Sequence, residues 1–277
     1  DREDKLTSQT RTQPQTQTQP QTEIETETET ETQTETSDHI KSVVQPTQQS
    51  PTALIGPSEP RVVIVIDDLG LNYPMTEAVI DLPGPLNLAF LPYSDRLDYF
   101  VERAVENGHM VMLHMPMEPE NIAENNPGPG ALLVENSARE NLKNLSDQLD
   151  KFAVVSGINN HMGSRFTSDP EAFNPIAKEI SRRDLLFLDS KTIASSIAEE
   201  RVKFYNGRAY SRDVFIDHFD EPRSIMTAFK KIERLAKERG EVIAIGHPKS
   251  NTVNALNAWL NTFEKQGLKL SKLTDLP

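Results

Sequence analysis

Two adjacent aspartates, Asp67 and Asp68, directly follow the apolar run at residues 61–66. A continuous β-branched run of this length is typical of a strand buried on both faces, so both carboxylates are expected near a dry part of the protein. Neighbouring carboxylates in such a place repel each other, and a divalent cation relieves the repulsion. One aspartate would then bind the metal while the other acts as a base. The structural alternative is that one of them caps the following turn or helix.

A histidine and a glutamate follow another apolar run. His114 comes directly after residues 109–113, and Glu118 lies four residues further along the chain. At the end of a strand that faces other polar groups, His114 is expected to bind the same metal ion. Glu118 can reach that ion if the intervening turn is helical. The competing interpretation of His114 is a hydrogen-bonded core histidine. His109, at the opposite end of the run, is assigned no role.

A polar segment, residues 159–165, follows a further apolar run. His161 in this segment is the third expected metal ligand, and Gly163 allows another part of the backbone to approach closely. Arg165 is expected to pair with Asp67, to lower the pKa of that carboxyl group and to keep it ionised as a base. The structural alternative is a loop held together by hydrogen bonds from its Asn and Ser side chains.

Two more apolar runs end in groups that can transfer protons, Asp189 and His247. A histidine oriented by an aspartate is the usual arrangement for a general acid, so we expect Asp189 to orient His247. The alternative for His247 is a turn residue before the proline that follows it. Asp217 and His218 also follow an apolar run, but that run fits an edge strand or a loop equally well, so they are weaker candidates.

The elements that position these groups alternate along the chain. Short apolar runs predict strands at residues 61–66, 86–91, 109–113, 152–158, 185–188, 214–216 and 242–245. Amphipathic segments with capping signals predict helices at residues 138–152, 170–183, 222–239 and 253–266. Alternating buried strands and helices indicate an α/β fold with a largely parallel sheet, either barrel-like or doubly wound. Folds of both kinds gather ligands at the carboxyl ends of their strands.

The first 57 residues differ in composition from the rest of the chain. They are rich in Thr, Gln, Glu and Pro, so the sequence predicts a disordered tail and linker over residues 1–57 and one folded domain over 58–277. The net charge of −13 and the lack of a basic run argue against a nucleic-acid partner.

Composition also bears on the location of the protein. No apolar run in the sequence reaches the roughly 20 residues that a transmembrane helix needs. The chain contains no cysteine, which excludes a disulfide framework and thiol chemistry. It begins with Asp1. A signal peptide or anchor removed from before the hydrophilic tail would place the domain outside the cytoplasm, in the periplasm.

At these residues the sequence resembles the divergent polysaccharide deacetylases, relatives of the chitooligosaccharide-deacetylase superfamily. The resemblance covers residues 61–270 and rests on five ordered motifs: IDDLG at 66–70, LHMPME at 113–118, NNHMGS at 159–164, LDS at 188–190 and GHP at 246–248. It implies a distorted (β/α) barrel of about seven mostly parallel strands. It also implies a catalytic divalent metal, usually zinc, and an acetylated glycan as the substrate.

The first two motifs bear on the metal site. In the superfamily one aspartate of the first motif acts as the base and the next binds the metal, which implies these roles for Asp67 and Asp68. The second motif normally supplies two histidines four residues apart, but here Glu118 stands in the second position. We expect His161 to complete the site beside His114, because two imidazoles and one carboxylate suit zinc, with Glu118 as the alternative ligand.

The remaining motifs imply the rest of the reaction. Arg165 approximately matches the arginine of the third motif and His247 the histidine of the last, whereas Asp189 lacks the aromatic residue usual near it. The expected reaction is hydrolysis of an N- or O-acetyl group on a glycan of the cell envelope, with Asp67 as base and His247 as acid. Two other functions stay open. One is a catalytically inactive glycan-binding or scaffolding protein on the same fold, and the other is a metal-dependent hydrolase of a different amide.

Overall fold

The computed structural model describes residues 59–277. The predicted tail and linker, residues 1–57, therefore lie outside the described residues. The described part contains nine strands: β1 Arg61–Leu69, β2 Asn87–Phe90, β3 Met110–Met117, β4 Gly157–Met162, β5 Leu186–Asp189, β6 Ala209–Ser211, β7 Val214–Phe215, β8 Glu241–Gly246 and β9 Lys269–Leu270. The same part contains seven α-helices: α1 Tyr73–Ile80, α2 Leu97–Glu106, α3 Ala138–Leu149, α4 Pro170–Arg182, α5 Ala198–Phe204, α6 Pro222–Arg239 and α7 Ser250–Phe263.

Four of these helices begin and end close to the residues predicted from capping signals. Ser137 and Glu140 exchange the two hydrogen bonds of a capping box at the start of α3. Asp169 accepts hydrogen bonds from two amides in the first turn of α4. Helix α6 ends at Gly240, which has a left-handed backbone with φ of 85°. The helices α1, α2 and α5 have no counterpart among the predictions, because with 8, 10 and 7 residues they show too few turns for a clear periodicity.

The strands form one curled sheet in the order β6-β5-β4-β3-β2-β1-β8-β7, with β9 paired to β1. All of the recorded strand pairings are parallel. Among the described residues no pairing joins the two outer strands β6 and β7. Residues 212–213 link them along the chain. The predicted α/β fold, a distorted barrel, is therefore confirmed as a half-barrel that is open between β6 and β7.

The strands are buried on both faces, as their continuous apolar runs predicted. Val62, Ile64 and Ile66 of β1 pack with the helices in the larger hydrophobic cluster. Val63 and Val65 of the same strand belong to a smaller cluster that fills the inside of the curled sheet. Full burial of one such side chain contributes about 1.5–3 kcal/mol. The apolar interior leaves the carboxyl ends of the strands as the place where polar side chains meet.

Three strands reach further than predicted, and each extension contains polar residues. Strand β1 continues to Leu69 and therefore includes Asp67 and Asp68. Strand β3 continues to Met117 and therefore includes His114. Strand β4 begins only at Gly157 and includes His161, where a strand over 152–158 was predicted. Apolar runs mark only the part of a strand that faces the core. They miss strand positions whose polar side chains form hydrogen bonds or ion pairs with one another. Within residues 59–277, no helix combines the length and the apolar character that crossing a bilayer requires.

Candidate metal centre

Asp67 and Asp68 lie at an irregularity inside β1. The pairing of β1 with β2 shifts between Ile66 and Leu69. Asp68 has a left-handed backbone with φ of 56°, a conformation that aspartate tolerates better than most residues. Successive side chains of a regular strand point to opposite faces, but a bulge re-aims them. Both carboxylates consequently line one cavity at the carboxyl end of the sheet.

Three possible ligand atoms converge beside these carboxylates. Oδ1 of Asp68 lies 3.2 Å from Nε2 of His114 and 2.9 Å from Nδ1 of His161. The two imidazole nitrogens are 3.2 Å apart. Tetrahedral zinc with bonds of about 2.0–2.1 Å separates its ligand atoms by roughly 3.3 Å, so the triangle has the size of one face of a zinc site. Across residues 59–277 this is the one group of His, Cys, Asp or Glu side chains that is close enough together to hold a metal ion.

The hydrogen bonds around the triangle also fit a cation. Nδ1 of His114 lies 2.8 Å from Oδ1 of Asn159 and donates to it, which leaves the lone pair of Nε2 directed at Asp68 and His161. Oδ1 of Asp68 is buried and has no hydrogen-bond partner among the described residues. A buried carboxylate oxygen that faces a nitrogen lone pair is unfavourable unless a proton or a metal ion lies between them. Two imidazoles and one carboxylate are a donor set that suits zinc.

The charges at the site also fit a bound cation. Burial alone lowers the pKa of His114, but the carboxylates of Asp67 and Asp68 outweigh burial and raise it to about 9. Burial alone raises the pKa of Asp68, but the imidazoles of His114 and His161 outweigh it and hold the pKa well below its usual 3.8. The negative charge therefore retains a proton on His114, and a divalent cation can take the place of that proton.

The side-chain amide of Asn159, which bonds to His114, also bonds to Asp67. Oδ1 of Asp67 accepts a hydrogen bond of 2.7 Å from Nδ2 of Asn159, and Oδ2 of Asp67 lies 3.8 Å from Nε2 of His114. Asn159 lies opposite His114 in the register of β3 and β4. The carboxyl group of Asp67 is buried, and burial raises its pKa above the usual value. A raised pKa makes Asp67 a better proton acceptor than an exposed aspartate.

His247 is oriented by Asp217, so the expectation that Asp189 orients it is wrong. Nδ1 of His247 donates a hydrogen bond of 2.9 Å to Oδ1 of Asp217, and its backbone N–H donates to Oδ2 at 2.8 Å. The hydroxyl of Thr252 donates to the same Oδ2. Burial alone lowers the pKa of His247, but Asp217 outweighs burial and raises it. Nε2 of His247 lies 3.9 Å from Oδ2 of Asp68. His247 is therefore beside the candidate metal-binding cluster, which consists of Asp68, His114 and His161.

Asp189 organises the loop that follows its own strand. Its Oδ1 accepts from the backbone N–H of Lys191 at 2.8 Å, and its Oδ2 accepts from the hydroxyl of Ser196 at 2.7 Å. Strand order explains why Asp217, and not Asp189, meets His247. Asp217 follows β7, which pairs with β8 beside His247, whereas β5 lies on the other side of the sheet. Asp189 thus supports the loop that brings Ser190 to the cavity.

Glu118 and Arg165 pair with each other, at a distance from the metal-binding cluster. Nη1 of Arg165 lies 2.5 Å from Oε1 of the buried Glu118. Oε2 of Glu118 accepts a hydrogen bond of 2.6 Å from the backbone N–H of Val134. The pairing of Arg165 with Asp67 and the alternative ligand role of Glu118 are therefore wrong for this structure. The physical reason is that β3 stays extended to Met117, so no helical turn returns Glu118 towards His114.

Arg212 is a guanidinium at the site to which no sequence pattern pointed. Its Nε donates a hydrogen bond of 2.9 Å to the carbonyl oxygen of Ser190, and its Cζ lies 4.7 Å from the ring centre of Phe215. Burial lowers the pKa of Arg212, and the charges of Asp189 and Asp67 oppose this effect. Arg212 lies on the two-residue link between β6 and β7, where neither a strand nor a helix pattern marks it.

These side chains surround one cavity of about 260 Å³. Both aspartates of β1, the imidazoles of His114, His161 and His247, and the ring of Phe215 line it. Gly163, with φ of 88°, packs where an added Cβ would lie 2.9 Å from Cβ of Met117, so the turn after His161 requires glycine. A ligand in this cavity contacts the metal-binding cluster, Asp67 and His247 together.

Comparison with known proteins places the chain among deacetylase relatives. The model of a family described as divergent polysaccharide deacetylase matches residues 64–276. A protein of Haemophilus influenzae, described as uncharacterized, is 32% identical over 204 residues, which are 73% of this chain and 72% of that protein. The protein YibQ of Escherichia coli (strain K12), also described as uncharacterized, is 31% identical over 208 residues, which are 74% of this chain and 65% of YibQ. This chain thus matches less than two thirds of the length of YibQ.

A solved structure agrees with the fold. The crystal structure of the uncharacterized protein ATU2773 from Agrobacterium tumefaciens C58 is similar to this one with a TM-score of 0.77 at 28% sequence identity. The match covers 79% of this chain and 89% of that chain.

Proposed function

The chain belongs to the divergent polysaccharide deacetylase family, and on that premise we propose that it is a metal-dependent hydrolase that removes acetyl groups from a polysaccharide of the cell envelope. The observation that carries the proposal is the meeting of three kinds of group in one cavity. These are a triangle of metal-ligand atoms, a buried carboxylate and an imidazole oriented by an aspartate. Metal-assisted hydrolysis of an amide or ester uses each of them.

Asp68, His114 and His161 would hold the metal ion, and zinc is the ion that suits this donor set. When bound, the ion would supply Lewis acidity to the acetyl carbonyl group and lower the pKa of the water beside it. Nδ1 of His114 donates a hydrogen bond to Oδ1 of Asn159, so Nε2 is the nitrogen that is free to face the metal.

Asp67 acts as the general base. It takes a proton from water while the oxygen of that water forms a bond to the acetyl carbonyl carbon. Its burial makes this proton transfer favourable, and the hydrogen bond from Asn159 fixes which oxygen stays available.

His247 acts as the general acid. Its Nε2 gives a proton to the leaving nitrogen or oxygen as the bond from that atom to the carbonyl carbon breaks. The products are acetate and a free amine or hydroxyl group on the sugar. Asp217 stabilises the imidazolium before the transfer and holds the ring in position.

The substrate and the location are part of the proposal. The family description names polysaccharides, and the hydrophilic composition of residues 1–57 suits a spacer that extends a domain from the cell surface or a membrane. We therefore place the activity outside the cytoplasm, in the periplasm.

Acetate release from acetylated glycans tests the proposal, with the full chain in its zinc-loaded and zinc-free forms. The loaded protein should release acetate and the zinc-free protein should not. Asp67→Asn should lower the rate by at least about 10²-fold, the scale of a lost general base, while keeping its zinc. Loaded protein that binds acetylated glycans without releasing acetate would point to the alternative of an inactive glycan-binding protein. Glu118 in the second-motif position favours that alternative, whereas the contact of His161 with Asp68 supports a metal site and the hydrolase.

A further inference from the structure

A second cavity adjoins the one that contains the metal-binding cluster. It measures about 420 Å³, which is within the range of roughly 300–1,000 Å³ typical of small-ligand sites. Asp68, Phe215 and His247 line both cavities, so the two form one continuous cleft. We name the second cavity the outer chamber, and His218 and Lys249 line its far side. An acetyl group needs no more room than the inner cavity of about 260 Å³ offers, so the outer chamber can take another part of the same ligand.

Aromatic rings form one wall of the outer chamber. The ring centre of Phe215 lies 5.2 Å from that of His247 and 6.1 Å from that of His218. Phe219 continues this row, with its ring centre 4.6 Å from that of His218, and it is 63% exposed. The faces of such rings carry partial negative charge, which attracts the C–H groups of a sugar ring. Phe219 is an exposed ring that contacts the lining residue His218, and it is therefore a good contact for the apolar face of a pyranose.

Lys249 adds hydrogen-bond donors on the same side. Its Nζ donates a hydrogen bond of 3.1 Å to the carbonyl oxygen of Asp217. The ammonium group has three donors, and the Lys249 side chain is 40% exposed. Donors remain for the hydroxyl groups of a ligand that packs against the rings. Aromatic faces beside a few polar groups are the combination that a carbohydrate, apolar on its ring faces and polar at its edges, needs.

We propose that the outer chamber binds pyranose rings of the glycan, and that Phe219 contacts the sugar adjoining the one that carries the acetyl group. This inference rests on the proposed function, because the acetyl group defines which sugar enters the inner cavity. The consequence is a preference for oligosaccharides over single acetylated sugars.

Two N-acetylglucosamine ligands test this preference in the zinc-loaded full chain: the free monosaccharide and its β-1,4-linked tetramer. The ratio of kcat/KM for the tetramer to kcat/KM for the monosaccharide should fall about tenfold in Phe219→Ala, the scale on which truncating an aromatic contact acts. Phe204→Ala is the matched control, because Phe204 is also highly exposed, at 69%, and packs edge-on against Tyr205. The control should leave the ratio unchanged. Equal ratios in wild type and Phe219→Ala would overturn the proposal.

Calorimetric binding of the tetramer separates this inference from the proposed function. Weaker binding in Phe219→Ala than in Phe204→Ala, with no acetate released by any variant, would support the outer chamber and reject the hydrolase. Acetate release that does not depend on Phe219 would reject the outer chamber and keep the hydrolase. A wild-type protein that neither binds nor hydrolyses the tetramer would also overturn the outer chamber as a pyranose site.

Discussion

Nδ1 of His114 lies 2.8 Å from Oδ1 of Asn159, and the two residues face each other across neighbouring strands of the sheet. The other end of the same amide donates to Asp67. One fully buried side chain thus fixes the tautomer of an expected metal ligand and the position of the expected base. A hydrogen bond to the second ring nitrogen is how proteins commonly orient a metal-binding histidine.

The first prediction follows from this contact. Asn159→Leu keeps the approximate volume of the side chain but removes its acceptor and donor, so His114 loses its fixed tautomer. Zinc affinity, measured by competition with a chelator, should fall about 10- to 100-fold.

Asn141→Leu is the matched control for that variant. Asn141 is equally buried, and its amide holds the backbone of Leu133 beside helix α3, away from the cluster. The control should lose stability and keep its zinc affinity. An Asn159→Leu variant that binds zinc as tightly as the control would exclude the orienting role.

The second prediction concerns the pairing of His247 with Asp217. His247 must be protonated to donate, and Asp217 raises its pKa above the usual 6.5. The protonated form therefore persists to higher pH in the wild type. In Asp217→Asn the pKa should fall, so the alkaline limb of the rate profile should move to lower pH. An NMR titration of the ring gives the same pKa directly.

Asp189→Asn is the discriminating comparison for His247. It removes the aspartate that the sequence suggested, but that carboxylate bonds to Ser196 and the amide of Lys191. The titration of His247 should stay where it is in this variant. A shift in Asp189→Asn together with no shift in Asp217→Asn would refute the assignment.

The third prediction addresses Arg165. Its partner is the buried Glu118, so Arg165→Met leaves a carboxylate without its counter-charge. The free energy of unfolding, from urea denaturation, should drop by about 1–3 kcal/mol. With Asp67 as the proposed base, the acid limb of the rate profile would report the ionisation of Asp67, and it should not move. An upward shift of that limb in Arg165→Met would restore Arg165 as the partner of Asp67.

The fourth prediction concerns stability in mild acid. His109 is buried in its neutral form, with Nδ1 accepting from the N–H of Leu86 and Nε2 donating to the carbonyl oxygen of Ile80. Burial lowers its pKa below 6.5, so the unfolded chain takes up a proton before the folded one does. This contribution to stability is present above pH 6.5 and is lost as the pH falls from 6.5 towards the lower pKa of the folded state, with a slope of at most about 1.4 kcal/mol per pH unit.

Denaturation of wild type and His109→Gln at pH 7 and pH 5 measures this contribution. The loss of stability between the two pH values should be smaller in His109→Gln than in wild type. His218→Gln, at an exposed position, should behave as wild type. The same loss in all three proteins would mean that His109 does not contribute to acid sensitivity.

The sequence predicted which residues line the site better than it predicted which of these side chains contact each other. Asp67 and Asp68 directly follow one apolar run, His114 directly follows another, and His161 comes three residues after a third, so a local pattern is enough to find them. Which aspartate meets His247 depends on strand order, because β8 pairs with β7 and not with β5. Strand order is set by packing over the whole domain, which no local pattern records.

Two further features were hidden for related reasons. Asn159 acts through its register with His114, and register between distant strands cannot be read from either strand alone. The bulge in β1 that turns both aspartates to one side depends on the left-handed backbone of Asp68. A glycine in the sequence would have marked such a conformation clearly, whereas an aspartate does not.

Zinc content tests most directly whether Asp68, His114 and His161 form the metal site. The full chain, supplied with zinc and freed of excess, should be compared as wild type, His161→Ala and Glu118→Ala. The structure predicts near-stoichiometric zinc in wild type and Glu118→Ala and its loss in His161→Ala. Zinc kept in His161→Ala but lost in Glu118→Ala would contradict the ligand set, and a wild-type protein that takes up no zinc would contradict the metal site itself.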